Sequence, residues 1–299
     1  MSQQDFAYTR APSGHRLHAD AELGAVHLQV ADLARSVAYY EKVIGLRTLT
    51  SDGGAIALGA RDDSTPLVVL HHRPGAAPVP RRGRLGLYHF AILLPDREAL
   101  GRFIAHLAAI GAYAGMSDHL VSEAVYLTDP DGLRIEVYAD RPRESWRIAN
   151  NKLEMATLTL NAADLVRASR GVAWDGMPPG TRIGHVHLFV SDLDAAERFY
   201  HEGLGLDKVL LEFPGALFMS AGGYHHHLGT NTWAASAPRA EADDARMLEW
   251  TVMLPSAADV EAAARALERV GATITRTDGD VTAADPWGTI VRVTTKNPS

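Results

Sequence analysis

The sequence predicts an α+β protein built of four βαβββ modules, at residues 22–73, 85–140, 183–235 and 246–295. Three observations carry this expectation. The stretch "LGAVHLQVADLARSVAYYEKVIGLRTL" (Leu23–Leu49) reads position for position against "IGHVHLFVSDLDAAERFYHEGLGLDKV" (Ile183–Val209). A second pair is formed by "LYHFAILLPDREALGRFIAHLAAIGA" (Leu87–Ala112) and "LEWTVMLPSAADVEAAARALERVGA" (Leu248–Ala272), which share a strand ending in Leu-Pro, a helix and a Gly-Ala exit. This second pair runs on into strand hairpins that turn at Asp-Pro, in "DPDGLRIEVY" and "DPWGTIVRV". Self-similarity of this kind marks one supersecondary unit used repeatedly.

Each element follows from local pattern. Module one opens with a strand, and Asp32 then caps a helix whose Leu33, Val37 and Tyr40 share one face. That helix is expected to end at the tyrosine, with Gly45 at the exit. A Pro-rich link, "RPGAAPVPRRGR" (Arg73–Arg84), leads to module two, a strand ending in Leu-Pro, a helix, a Gly-Ala exit and a hairpin. Residues 141–182 form a longer connection, with a helix expected near Asn161–Arg170 and a Pro-Pro break at 178–179. Connections of that length are often functional, so this one is a candidate lid between a first pair of modules, 22–140, and a second, 183–295. Module three repeats module one, with Asp192 as cap, Leu193, Ala196 and Tyr200 on the face, and Gly205 at the exit; module four repeats module two.

Bulk properties narrow the function classes. Apolar residues make up 46% and charged residues 22%, the balance of a soluble globular chain, and no apolar run approaches a membrane span. Residues 1–20 show no apolar signal-peptide core. There is no cysteine, which excludes disulfides and thiolate ligands and fits a cytoplasmic protein. A net charge of −7, with no basic stretch longer than "PRRGR", argues against nucleic acid as a partner. Fourteen histidines leave imidazole and carboxylate as the strong metal ligands at hand.

Two of those histidines occupy the same repeat position, His89 in "GLYHFAILLPD" and His185 in "RIGHVHLFVSD". Glu136, in "YLTDPDGLRIEVY", follows the first, and its alternation with Ile135 and Val137 turns it to the opposite face from them. Two imidazoles and one carboxylate form the facial ligand set of non-heme Fe(II) oxygenases. The plain alternative for any one strand histidine is a satisfied polar group, which is the reading for His27 and His187. For Glu136 the alternative is an exposed strand carboxylate, but an inward, unpaired one would be costly.

The four-module layout resembles the vicinal oxygen chelate superfamily, which includes glyoxalase I, bleomycin-resistance proteins and extradiol ring-cleaving dioxygenases. "HVHLFVSDLDAAERFYHEGLGL" and "VYLTDPDGLRIEVY" are close to its recurring strings. "GLYHFAILLPDR", "EVYADRPRESW" and "SAGGYHHHLGTNTW" are similar to bacterial catechol-2,3-dioxygenase-like proteins. The resemblance implies modules paired into two cup-shaped mixed sheets flanked by helices, with metal ligands on the first and last strands. Carried over by position, it implies His89, Glu136 and His185 as ligands, with Ala25, Trp250 and Arg292 filling the corresponding places elsewhere. The site then requires modules two and three to pair. It further implies Fe(II), or Mn(II) on the same donors, an aromatic diol and O2 as substrates, and a role in aromatic catabolism. Tyr126 matches a tyrosine ahead of the glutamate ligand, and His119 a histidine upstream of it. In the run His225, His226, His227 a gapless match selects His226 as acid/base, whereas period-two alternation groups His225 with His227 on the opposite face. Two other functions stay open: a glyoxalase-like isomerase or lyase with His227 as a fourth ligand, and a metal-free binding protein of the bleomycin-resistance kind. Association with further copies of the chain is left open too.

Overall fold

The computed structural model of the chain describes residues 5–210 and 213–296. Module one runs β1 (Glu22–Val30), α1 (Leu33–Tyr39), β2 (Arg47–Asp52), β3 (Ala55–Gly59) and β4 (Pro66–His72). Module two runs β5 (Gly86–Leu93), α2 (Arg97–Ala109), β6 (Gly115–Asp118), β7 (Ser122–Thr128) and β8 (Arg134–Asp140). The connection carries two short strands, β9 (Ile148–Ala149) and β10 (Lys152–Leu153), and α3 (Ala162–Ala168). Module three runs β11 (Arg182–Phe189), α4 (Leu193–Ala196), β12 (Asp207–Leu210), β13 (Ala216–Ser220) and β14 (Leu228–Asn231). Module four runs β15 (Arg246–Leu254), α5 (Ala257–Arg269), β16 (Ile274–Thr277), β17 (Asp280–Ala284) and β18 (Ile290–Thr295).

The caps fall where the sequence puts them. Asp32 and Asp192 accept backbone N–H bonds from the first turns of α1 and α4, as Asp96 and Ser256 do for α2 and α5. Gly45 and Gly205 take the left-handed conformation at the exits. One detail differs from expectation. The helices of modules one and three do not stop at the tyrosine but continue as π-helical turns over Tyr40–Ile44 and Glu197–Gly203. Both tyrosines are fully buried and anchored at their tips: Tyr40 donates to Asp129 at 3.3 Å and Tyr200 to Asp285 at 2.8 Å. These aspartates are the ones in the Asp-Pro turns of modules two and four, so each odd module is pinned to the even module that follows it.

The modules pair as the ligand set requires. One eight-stranded sheet has the order β12-β13-β14-β11-β5-β8-β7-β6 and the other β16-β17-β18-β15-β1-β4-β3-β2. The first joins modules two and three through antiparallel β5 and β11; the second joins one and four through β1 and β15. Within each module the first strand lies parallel to the last, which makes both sheets mixed. Alternation then separates the two faces of the first sheet. Phe90, Ile92, Ile135, Val137, Val186 and Leu188 are fully buried in the main core with the helices. Side chains of this size each stabilise by about 1.5–3 kcal/mol on burial. The opposite face, carrying His89, Ala91, Glu136 and Tyr138, forms the inside of a cup. Among the described residues no helix is long and apolar enough to cross a membrane.

Candidate metal centre

The three ligand candidates meet at one point in the cup. His89 Nε2 lies 3.1 Å and His185 Nε2 3.2 Å from the same oxygen, Oε2 of Glu136, and the two nitrogens lie 3.2 Å apart. This near-equilateral triangle has a direct chemical meaning. Donors about 2.1 Å from one ion and at right angles to each other are about 3.0 Å apart, so the three atoms can form one face of an octahedron. Strand pairing builds the triangle. His89 on β5 faces His187 on β11, His185 lies one step further along, and β8 runs parallel to β5 with Glu136 opposite Ala91. A bulge between Ile183 and His185 re-aims the chain at the crucial position.

The protonation states suit a cation. All three residues are almost fully buried. Burial pushes both imidazoles below their usual range, which favours the neutral, ligating form. For Glu136 burial opposes ionisation, but the two imidazoles against it hold its carboxyl well below the usual range. Two neutral histidines and one carboxylate are the set a divalent ion takes, and the residues present therefore fit such an ion.

The histidine run sorts into three environments. His226 is buried at the cup wall, its ring centroid 4.1 Å from that of His185. His225 stands behind it, with Nδ1 2.8 Å from His226 Nδ1 and Nε2 2.9 Å from Asp140. If His225 donates from Nε2 to the carboxylate, its Nδ1 accepts from His226 and the proton of neutral His226 sits on Nδ1. Burial, with the neighbouring imidazoles, pushes His226 well below its ordinary pKa. Asp140 also accepts from Tyr224 at 2.9 Å, and Tyr224 is 2.6 Å from the hydroxyl of Tyr138. His227 lines a different recess, and its Nδ1 accepts from the backbone N–H of Ala221. The fourth-ligand role considered for His227 therefore has no geometric basis. The segment 221–227 is a turn rather than regular strand, so strict alternation does not govern which histidine faces the cup.

Tyr126 and His119 complete the opposite wall. The Tyr126 hydroxyl is 2.7 Å from His119 Nε2, and His119 Nδ1 is 2.8 Å from the carbonyl of Ala156. The carbonyl can only accept, so the His119 proton sits on Nδ1 and Tyr126 donates to Nε2. Burial and the charge of Glu136 raise the Tyr126 pKa well above its ordinary value and keep the phenol protonated. The cup encloses about 390 Å³, the size of a small-molecule site. Met155, Ala156 and Thr157 from the 141–182 connection form part of its wall, and Phe213, Phe218 and Trp233 another part.

Several site residues escape the sequence reading. His187, read there as a satisfied polar group, does bond Asn231 at 2.9 Å, yet it also lines the cup. Tyr138 and Asp140 were within reach, since they follow Glu136 at period two on one strand face. In the second sheet, Arg292 forks onto Glu249 at 2.6 and 2.9 Å, and His27 bonds His71 at 3.0 Å. A guanidinium thus supplies the positive charge beside that carboxylate.

Known proteins share this architecture. A family model described as the Glyoxalase/Bleomycin resistance protein/Dioxygenase superfamily matches residues 22–137 and 182–292. A protein of Bacillus subtilis (strain 168) named catechol-2,3-dioxygenase is 40% identical over 274 residues, which is 90% of this chain and 95% of that one. Among solved structures, one from Bacillus subtilis subsp. subtilis str. 168 superposes with a TM-score of 0.67 at 16% identity, covering 95% of this chain and 87% of that one. Glyoxalase I from Zea mays superposes at 0.54 with 16% identity and 92% coverage of each chain.

Proposed function

The chain belongs to the glyoxalase/bleomycin resistance protein/dioxygenase superfamily, and on that premise we propose that it is an extradiol dioxygenase that opens catechol-type rings with O2. The observation that carries the reading is the donor triangle of His89, Glu136 and His185 with a buried histidine on one side and a protonated tyrosine on the other. The name of the 40% identical relative supports it. Fe(II) is the proposed ion, and Mn(II) is one the same donors accept.

His89, Glu136 and His185 would hold the ion, which acidifies the hydroxyls of a bound diol. The protein's own groups handle the protons. His226, neutral at physiological pH and with no hydrogen-bond partner on Nε2 among the described residues, accepts a diol proton there and returns it later as an acid. Asp140, through His225, holds the tautomer that leaves Nε2 free and stabilises the imidazolium that forms. Tyr126, placed by its bond to His119, would turn its single hydroxyl proton from His119 Nε2 to a substrate oxygen on binding. The aromatic wall of Phe218 and Trp233 packs on the ring, and the stretch around Met155–Thr157 limits access of water. One diol and one O2 give one ring-opened product, with both oxygen atoms retained.

The test is anaerobic loading with Fe(II), followed by O2 and a panel of catechols. Stoichiometric oxygen uptake with formation of a yellow ring-opened product is expected. Metal-loaded protein that binds a catechol but consumes no oxygen would sink the assignment.

A further inference from the structure

The cup does not end at its aromatic wall. A second recess of about 830 Å³ adjoins it, and Tyr88 and Trp233 line both. This recess is also lined by Arg81, Arg82, Arg84 and Arg134, four guanidinium groups gathered in a chain whose net charge is −7. Arg84 is neutralised by Asp244 at 3.1 Å. Arg81, Arg82 and Arg134 have no carboxylate within ion-pair distance among the described residues. About half of the other arginines among the described residues do, those at positions 16, 35, 61, 73, 97, 141, 167, 265, 276 and 292.

Arg134 is the closest of these cations to the donor triangle along the strand. It precedes Glu136 by two residues on β8 and so shares its face of the sheet. Its guanidinium lies 5.2 Å over the ring of Tyr88, and that ring is 4.9 Å from the ring of His89. One aromatic side chain therefore separates an unpaired guanidinium from a ligand candidate, with at most about 10 Å between the guanidinium and the His89 ring. A dihydroxyphenyl ring with a one-carbon carboxylate arm spans roughly 8 Å at bond lengths near 1.5 Å. Guanidinium is also the side-chain group best shaped to receive a carboxylate through two parallel bonds.

We propose that the substrate is an aromatic diol bearing a carboxylate, with the diol at the donor triangle and the carboxylate on Arg134, and with Arg81 and Arg82 adding positive potential at the mouth. This rests on the ring-cleavage reading above and names the substrate class of that site. It assigns Arg134 a role in specificity rather than in chemistry.

The experiment compares 3,4-dihydroxyphenylacetate with the neutral 4-methylcatechol by calorimetric binding to the metal-loaded protein without O2, and by oxygen uptake. In the wild type the carboxylate ligand binds at least about tenfold more tightly at low salt, and the ratio shrinks as salt rises. The ratio falls toward one in Arg134→Gln, recovers in part in Arg134→Lys, and is unaltered in Arg265→Gln on the remote helix α5. Equal binding of the two ligands by the wild type, or a ratio unaltered in Arg134→Gln, overturns the inference and leaves ring cleavage standing. A tenfold preference without oxygen uptake from either ligand upholds the carboxylate site and overturns ring cleavage. Failure of both ligands to bind overturns both. The salt dependence needs no variant, so the conclusion does not hang on how any substitution folds.

Discussion

At the scale of single residues the proposed function divides the site into donor candidates and proton carriers, and substitutions should separate them. Glu136→Ala removes one of three donors and the only charged one, so iron retention after desalting should be lost while the circular dichroism spectrum is kept, because β8 is held by its neighbours on both sides. Metal content equal to the parent's would count against the triangle as the binding site. His226→Ala should keep the metal and lower turnover by about 10²–10⁴-fold, the usual worth of general acid–base catalysis. His225→Ala should keep the metal too and lose part of that factor, since it removes the bridge from Asp140. His227→Ala should change neither quantity, and metal loss in that variant would restore the four-ligand alternative. The cluster of the three donor candidates was legible because two histidines recur at one repeat position with a glutamate completing the set. The choice within the histidine run was not, because a turn has no period to read. Asp140 was legible only to a reader who followed the strand face two steps past Tyr138.

At the scale of elements, two local devices set the geometry. The first is the π-helical turn in the odd modules, whose buried tyrosine reaches the Asp-Pro turn of the next module. Asp129 in that turn accepts from the backbone N–H groups of Asp131 and Leu133, yet burial outweighs these bonds and pushes its pKa up to about 7 from 3.8. The folded form then binds the proton more tightly than the unfolded chain does. Its contribution to stability is complete below about pH 4 and is lost as pH rises toward 7, by up to about 4 kcal/mol from this group. Asp129→Asn keeps the carbonyl acceptor and should flatten the fall in denaturant midpoint between pH 4 and 7. A slope identical to the parent's would show that Asp129 is not the responsible group. The second device is the close approach of Gly184, where a Cβ would lie 1.8 Å from the Tyr138 hydroxyl. Gly184→Ala must push Tyr138 aside and with it the hydroxyl that meets Tyr224. A loss of turnover greater than the loss of metal is expected, measured by single-turnover rates on loaded protein.

At the scale of the whole molecule the decisive fact is which modules share a sheet. Pairing of two with three gathers the donor candidates, and pairing of one with four sets His27 opposite Glu249, a carboxylate that Arg292 of the same module already holds. One cup with donors predicts one tightly held ion per chain, measurable by elemental analysis, and two ions per chain would contradict it. Sequence alone determined the repeated modules, their caps, the αL exits and the identity of the three donor candidates, because each depends on spacing along one segment. It could not determine by itself that β5 lies against β11, since a strand's edge is equally open to any partner and no pattern within one module states which module it joins. Nor could it determine what anchors the helix tyrosines, because each one's partner is an aspartate 89 or 85 positions away. Tertiary structure decided those points, and the Arg-lined recess with them, since Arg81, Arg134 and Trp233 come from a linker, a strand and a loop that only folding brings to one place.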